Sequence, residues 1–464
     1  MTRATRSRNT TARRFRRAVL LTAVVAGGLT MGGAAQAHSR DDSPNAVLVW
    51  NANAGAAALA ACIAPTDNPL HESRMYAMMH LAIHDALNAI HRRSQPYAYD
   101  AHVRGRVSAP AAVAAAAHGV LVPVIGQIPA PFPPACVAAG VASAEAAYQT
   151  AIDAIPNGRA KARGIQLGEA AAAAILARRA GDGADTPLVD PAYPQGTAPG
   201  EYQFTPGTPF AFAPGWGKVT PFTLRDSDQF RPAPPDAVTS ARYATDLAEI
   251  KHLGGDGVTT PSDRTADQTE LAVFWVESSP LQWNRIARTV AMRAGTDMWA
   301  SARLFALLDM SLADGYIGSF ATKYHDNYWR PVTAIRAADT DGNPATSADP
   351  TWTPLRGTPP IPDYDSAHSV EGAAAAEVMR EFFGTDRMAF TTCSLTTDAG
   401  QRCTDANPTL RSFARFSDAA RENGESRILV GFHFRRAVEA GLDHGRAIAE
   451  QTVDRFLQED DDDD

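Results

Sequence analysis

Apolar residues recur every three or four positions through most of this chain and strict alternation is scarce, so the pattern predicts helices rather than strands. From about residue 46 to 180 the sequence is Ala-rich and helical in period. Its clearest element spans 74–90, where Met75, Met79, Ala82, Ile83, Ala86 and Ile90 mark one apolar face. Further helices are predicted over 111–122, 136–155 and 160–180, with Pro and Gly between them. Residues 182–236 are rich in Pro, Gly, Thr and Phe and show no sustained period, which predicts a long ordered connection running over the surface. Helical pattern returns at 237–253, 267–276, 283–319, 371–383, 410–424, 426–439 and 442–457. The predicted fold is all-α, with two helical-bundle halves.

The first 37 residues follow another logic. Seven arginines up to Arg17 precede an apolar run over 18–31 and then Ala35-Gln36-Ala37, the outline of a secretory signal peptide cleaved after Ala37. The run is shorter than the roughly 20 residues of a membrane span, and no later segment reads as one. Arg16-Arg17 leaves both the general and the twin-arginine export routes open. The expected organisation is a leader over 1–37, an N-terminal helical region over 38–181, the connection over 182–236, a C-terminal helical catalytic domain over 237–458, and an acidic tail over 459–464.

Charge and cysteines narrow the class. The formal net charge is −8, and cleavage would remove seven positive charges from it. So acidic a secreted chain predicts no nucleic-acid partner and no membrane partner after cleavage. Its expected location is extracellular, and a homo-oligomer is compatible with everything above. Cys62, Cys136, Cys393 and Cys403 are an even set in an exported chain, which suggests two disulfides. Cys393 and Cys403 bracket a polar loop and favour pairing with each other, although three connectivities remain open.

Three segments between 323 and 441 share one chemical character. Lys323 and Arg330 stand seven residues apart, about two helical turns, with Pro331 suggesting that a helix ends there. Ser366-Ala367-His368 precedes an apolar helix and offers a hydroxyl, free amides and an imidazole, a ready anion site. Arg427 and His433 lie about 9 Å apart along a continuous helix, and border one cavity if the chain bends at Gly431. Together these cations, donors and imidazoles suit a multiply charged tetrahedral oxyanion.

Lys-x6-Arg-Pro, Ser-x-His and Ser-Arg-x5-His, in that order, resemble the three signatures shared by vanadium-dependent haloperoxidases and type 2 phosphatidic acid phosphatases. The resemblance is nearest to secreted bacterial haloperoxidase-like members, because phosphatase-type proteins lack the additional N-terminal bundle. It implies that the C-terminal bundle is of the acid phosphatase/haloperoxidase type. Lys323, Arg330, Ser366, the Ala367 amide and Arg427 would hold vanadate, or phosphate in the same pocket. His433 would bond the metal or attack phosphorus, and His368 would act as acid and base. The implied reaction oxidises a halide with hydrogen peroxide. The alternatives are an exported acid phosphatase that cleaves a phosphomonoester through a phosphohistidine, and a catalytically silenced homologue.

The chain departs from the signatures at three positions. Ala367 stands where glycine is usual, Asp365 adds a negative charge beside the pocket, and Ala437 replaces the acid expected four residues after His433. With Glu439 the nearest acid, a backbone carbonyl is expected to orient His433. Elsewhere, His80-x3-His84 has zinc-like spacing without the glutamate of a His-Glu-x-x-His motif, so a structural role is expected. The same holds for His444. His325 suits either the pocket entrance or the surface, and Tyr328 and Trp329 suit core or pocket wall.

Overall fold

Helices open where the sequence supplies a cap. The computed structural model describes residues 44–397, 403 and 408–460; the expected leader and residues 461–464 of the acidic tail lie outside them. Asn45 accepts from the Val47 amide ahead of α1 (Ala46–Ala60), and Asn68 with Pro69 opens α2 (Pro69–Ile90). Helices α3 (Ala109–Gly126), α4 (Pro134–Asp153) and α5 (Arg159–Arg178) complete the N-terminal region. After the connection come α6 (Ala241–Leu253), α7 (Ala266–Phe274), α8 (Ser279–Ala294), α9 (Met298–Asp326) and α10 (Pro331–Arg336). Helices α11 (Ala367–Phe383), α12 (Phe416–Leu429) and α13 (Arg435–Arg455) finish the described chain. The fold is all-α, as the periodicity predicts.

Helices α2 and α9 are the axis of the core and pack on each other. Every residue of α2 from Leu70 to Ala89 is buried except Arg74, and α9 is buried without a break from Leu304 to Phe320. Helices α3 and α5 cover α2, while α11 and α13 cover α9. Small residues let these layers approach closely. A Cβ on Gly445 would lie 2.0 Å from the Val370 carbonyl oxygen, so α13 meets the first turns of α11 backbone to backbone.

Five local expectations need correction, the first being the helix expected over 426–439, which is interrupted because α12 ends at Leu429 and α13 opens at Arg435. The single helix expected over 283–319 is two, α8 and α9; the chain breaks at the left-handed Gly295, and Asp297 caps the next start. The start of the helix expected over 410–424 is a strand. There β4 (Leu410–Phe413) pairs antiparallel with β3 (Phe390–Cys393), setting Phe413 against Phe390. Pro331 opens α10 instead of ending α9, which stops at a left-handed Asn327. Lastly, α3 and α9 are long and apolar enough to cross a membrane, against the expectation that no later segment is; in the fold 61% and 94% of their apolar windows are buried by neighbouring helices.

The connection between α5 and α6 holds one two-residue strand pair, β1 (Val189–Asp190) with β2 (Ala211–Phe212). It is fastened to α9 and to the turn between α9 and α10. The buried Asp314 carboxylate accepts from the amides of Phe222 (2.6 Å) and Thr223 (2.7 Å), and Trp329 donates its amide to Gly200 at 2.9 Å. Disulfides join Cys62 to Cys136 and Cys393 to Cys403, the pairing that the spacing favours.

Candidate oxyanion-binding site

The three signature segments leave different elements and converge. Lys323 is in the last turn of α9 and Arg330 is the N-cap of α10, both with no solvent exposure. Ser366 is the N-cap of α11, and Ala367 and His368 lie in its first turn, where amides have no intrahelical partner. Arg427 is in the last turn of α12, and His433 lies between α12 and α13.

The bend needed at Gly431 is present. Its φ is +85°, and the amides of Phe432 (3.0 Å) and His433 (3.2 Å) fold back onto the Arg427 carbonyl. A left-handed residue here reverses the chain within one turn and carries His433 back beside Arg427.

The cations are held by backbone carbonyls more than by counter-ions. Lys323 Nζ donates to the carbonyls of Pro362 (3.1 Å), Asp363 (2.9 Å) and Asp365, so all three of its hydrogens fasten the 362–365 loop. Arg330 donates through Nε to Ile361 (2.7 Å) and through Nη1 to Phe432 (2.9 Å). Arg427 donates through Nη1 to Trp275 at 2.8 Å. Arg330 Nη2, Arg427 Nε and His368 Nε2 are buried without a partner. The two guanidinium nitrogens are buried donors, costly unless an acceptor completes them, while the neutral His368 bonds the Glu277 backbone and leaves Nε2 open.

Burial and mutual repulsion shift every charge in the cluster. Burial, with Arg330 next, pushes the Lys323 ammonium down to about 7, and the same two causes bring Arg427 down to about 9. Both imidazoles are pushed well below the usual range, so both are neutral near pH 7. Burial is the main cause in each, followed by Arg330, Lys323 and Arg427 for His433, and by Arg427 for His368. An oxyanion would relieve this repulsion and fill the open donors. The donor set therefore fits vanadate or phosphate. Ser366 Oγ accepts from Ser369 Oγ at 2.9 Å and keeps its own proton for an acceptor.

Two acids sit in the 362–365 loop. Asp365 does not direct its carboxylate at the pocket: Oδ1 accepts from Ser319 Oγ and Oδ2 faces His444 Nδ1, both at 2.7 Å. Its oxygens are hydrogen-bonded away from the pocket, while its negative charge still acts on Lys323, as the sequence leads one to expect. Asp363 is the residue that the sequence reading missed. Its Oδ1 lies 3.0 Å from His433 Nδ1 and 4.0 Å from Arg330 Nη1, where a backbone carbonyl was expected. Burial pushes Asp363 up to about 7 against the pull of Arg330 and Lys323.

The other candidates lie apart. His80 contacts Asn51 at 2.8 Å and stacks on Phe305, while His84 contacts Ser94 at 2.8 Å and Asp85 at 3.0 Å. Both are structural, and the described residues hold no group of three His, Cys, Asp or Glu side chains set for a metal ion. His325 is exposed, and Tyr328 and Trp329 belong to an apolar cluster with Tyr243 and Phe434.

Comparison with known proteins agrees with this architecture. Residues 303–459 match the family described as the VCPO second helical-bundle domain. The vanadium chloroperoxidase of Curvularia inaequalis is 29% identical over 227 residues, 42% of this chain and 35% of that protein, so the match spans about a third of the relative's length. Among solved structures, a bacterial vanadium-dependent iodoperoxidase aligns over 90% of this chain and 98% of its own, with TM-score 0.73 and 23% identity. A holo-type bacterial vanadium-dependent chloroperoxidase aligns over 87% and 95%, with TM-score 0.67 and 18% identity. In fold along nine-tenths of its length, and in sequence over the segment that carries the three motifs, the chain resembles the vanadium-dependent haloperoxidase/type 2 phosphatidic acid phosphatase superfamily.

Proposed function

We propose that this chain is a secreted vanadium-dependent haloperoxidase that oxidises a halide with hydrogen peroxide. The observation that carries the reading is the pair of unpartnered buried donors, Arg330 Nη2 and Arg427 Nε, with the open His368 Nε2, gathered with Lys323 around a neutral His433. Arg330, Arg427, Ser366 Oγ and the Ala367 amide would hold the oxygens of vanadate, and His433 would bond the metal. Lys323 would contribute charge while it holds the 362–365 loop. Bound vanadate would supply a Lewis acid that polarises peroxide without changing its own oxidation state. Oxidation of halide to hypohalous acid consumes one proton, and His368 would pass protons through Nε2. Secretion rests on the leader pattern over 1–37.

Vanadate titration of the mature protein, followed by peroxide- and bromide-dependent bromination, tests the proposal; activity should rise with vanadate. Replacing His433 by Ala should abolish vanadate retention, and full affinity in that variant would overturn the assignment. Replacing His368 by Ala should lower turnover more than binding. Metal-free hydrolysis of a phosphomonoester, inhibited by vanadate, would move the function to an exported acid phosphatase. Neither activity, with no vanadate-induced rise in melting temperature, would identify a silenced homologue.

A further inference from the structure

Four residues after His433, where the resemblance leads one to expect an acid, the chain has Ala437, a buried residue with no side-chain polar atom. The structure supplies a carboxylate from elsewhere. Asp363 reaches the histidine from the loop before α11, 70 positions earlier in the chain, and Asp363 and Ala437 line the same small cavity. We infer that Asp363 is the positioning residue for His433, fixing its tautomer and ring orientation in place of the missing acid at 437.

The hydrogen-bonding chemistry supports this assignment independently of the ion-pair distance. Arg330 Nη1, which can only donate, lies 3.0 Å from His433 Nε2 and 3.4 Å from Nδ1. The shorter contact assigns the lone pair to Nε2, which leaves the single proton of a neutral imidazole on Nδ1. Nδ1 is the nitrogen that faces Asp363 Oδ1 at 3.0 Å. The contact falls short of hydrogen-bond geometry, and the Phe434 amide also faces the Asp363 carboxylate. Asp363 is fully buried, and among the described residues Arg330, at 4.0 Å, is the one Lys or Arg in ion-pair contact with it. A carboxylate so placed raises the basicity of the opposite nitrogen, the atom that must bond an oxyanion's central atom.

The inference rests on the proposed function only for what His433 binds; the tautomer can be read without any ligand. In vanadate-free protein carrying 15N-histidine, long-range 1H–15N spectra should show His433 protonated at Nδ1, with His433→Ala identifying the signal. Protonation at Nε2 in the unsubstituted protein would overturn the inference whether or not any variant folds. Asp363→Asn should disturb this tautomer and weaken vanadate binding by calorimetry about 10- to 100-fold. Adding Ala437→Asp to that variant should recover affinity to within a few-fold, which a purely structural role for Asp363 would not produce. Unchanged affinity in Asp363→Asn would also overturn it. A protein that keeps the Nδ1 tautomer yet binds no vanadate would refute the proposed function and leave the assignment of Asp363 standing.

Discussion

Replacing Gly431 by Ala should both destabilise the protein and weaken its hold on an oxyanion. The φ of +85° places an L-residue in the left-handed region, costing about 1–2 kcal/mol. The added Cβ would also fall 2.6 Å from the Gly254 carbonyl oxygen, 2.7 Å from Pro354 Cβ and 3.1 Å from the Trp352 ring. Backbone and ring-locked atoms cannot swing aside, so the turn itself must move, adding about 1–3 kcal/mol of overpacking. Strain and overpacking together give a loss of about 2–5 kcal/mol. The direction of relief matters for function, because Phe432, whose carbonyl holds Arg330, and His433 follow immediately. A displacement of about 1 Å there is enough to cost on the order of 100-fold in a positioned reaction. Gly342 is the control: its φ is +73°, but nothing lies within 4 Å of the Cβ an alanine would add. Gly342→Ala should lose only the strain, about 1–2 kcal/mol, with vanadate affinity unchanged. Urea midpoints and calorimetric titration with vanadate measure both effects. Equal stability losses in the two variants, with affinity intact in Gly431→Ala, would refute the argument that this turn sets the position of His433.

Other consequences follow from the buried network and the disulfides. Glu72 ordinarily titrates near 4.5 and is pushed up to about 8 by burial, so the folded chain keeps a proton that the unfolded chain releases between those values. Stability should therefore fall as pH rises through that window, by about 1.4 kcal/mol per unit and about 5 kcal/mol in all. Glu72→Gln, which keeps an acceptor for Ser278 Oγ (2.6 Å in the native protein), should remove that part of the slope; identical slopes in urea titrations across pH would contradict it. The Cys62–Cys136 bridge closes a span of 74 residues and Cys393–Cys403 one of 10. Removing the first by paired Ala substitutions should cost about 4 kcal/mol and the second about 3 kcal/mol, as read from denaturant midpoints; a larger loss from the short loop would count against loop closure as the cause.

What the sequence disclosed and what it withheld follow from the range of the interactions involved. Helices were legible because an apolar face repeats locally, and α2 needed no knowledge of its neighbours to be placed, whereas the break between α8 and α9 was hidden because α9 is mainly apolar on every side. The strand at Leu410–Phe413 was not, because its pairing with Phe390–Cys393 is a contact between distant segments and four residues are too few to show a period. The site divides in the same way. Lys323, Arg330, Ser366, His368, Arg427 and His433 were legible because each segment carries its groups at fixed short spacings, and the fold had only to bring the segments together. The acids were not, because their effect depends on which partner the backbone gives them. Asp363 and Asp365 are two residues apart on one loop, yet one faces His433 and the other faces His444 on α13. A reading by proximity in sequence assigned Asp365 to the pocket and passed over Asp363. The partner of His433 was likewise expected four residues on, where Ala437 stands in the first turn of α13. The charge balance of a buried oxyanion site is a long-range property: its cations can be written into motifs, while the carboxylates that orient them can come from any loop that packs within reach.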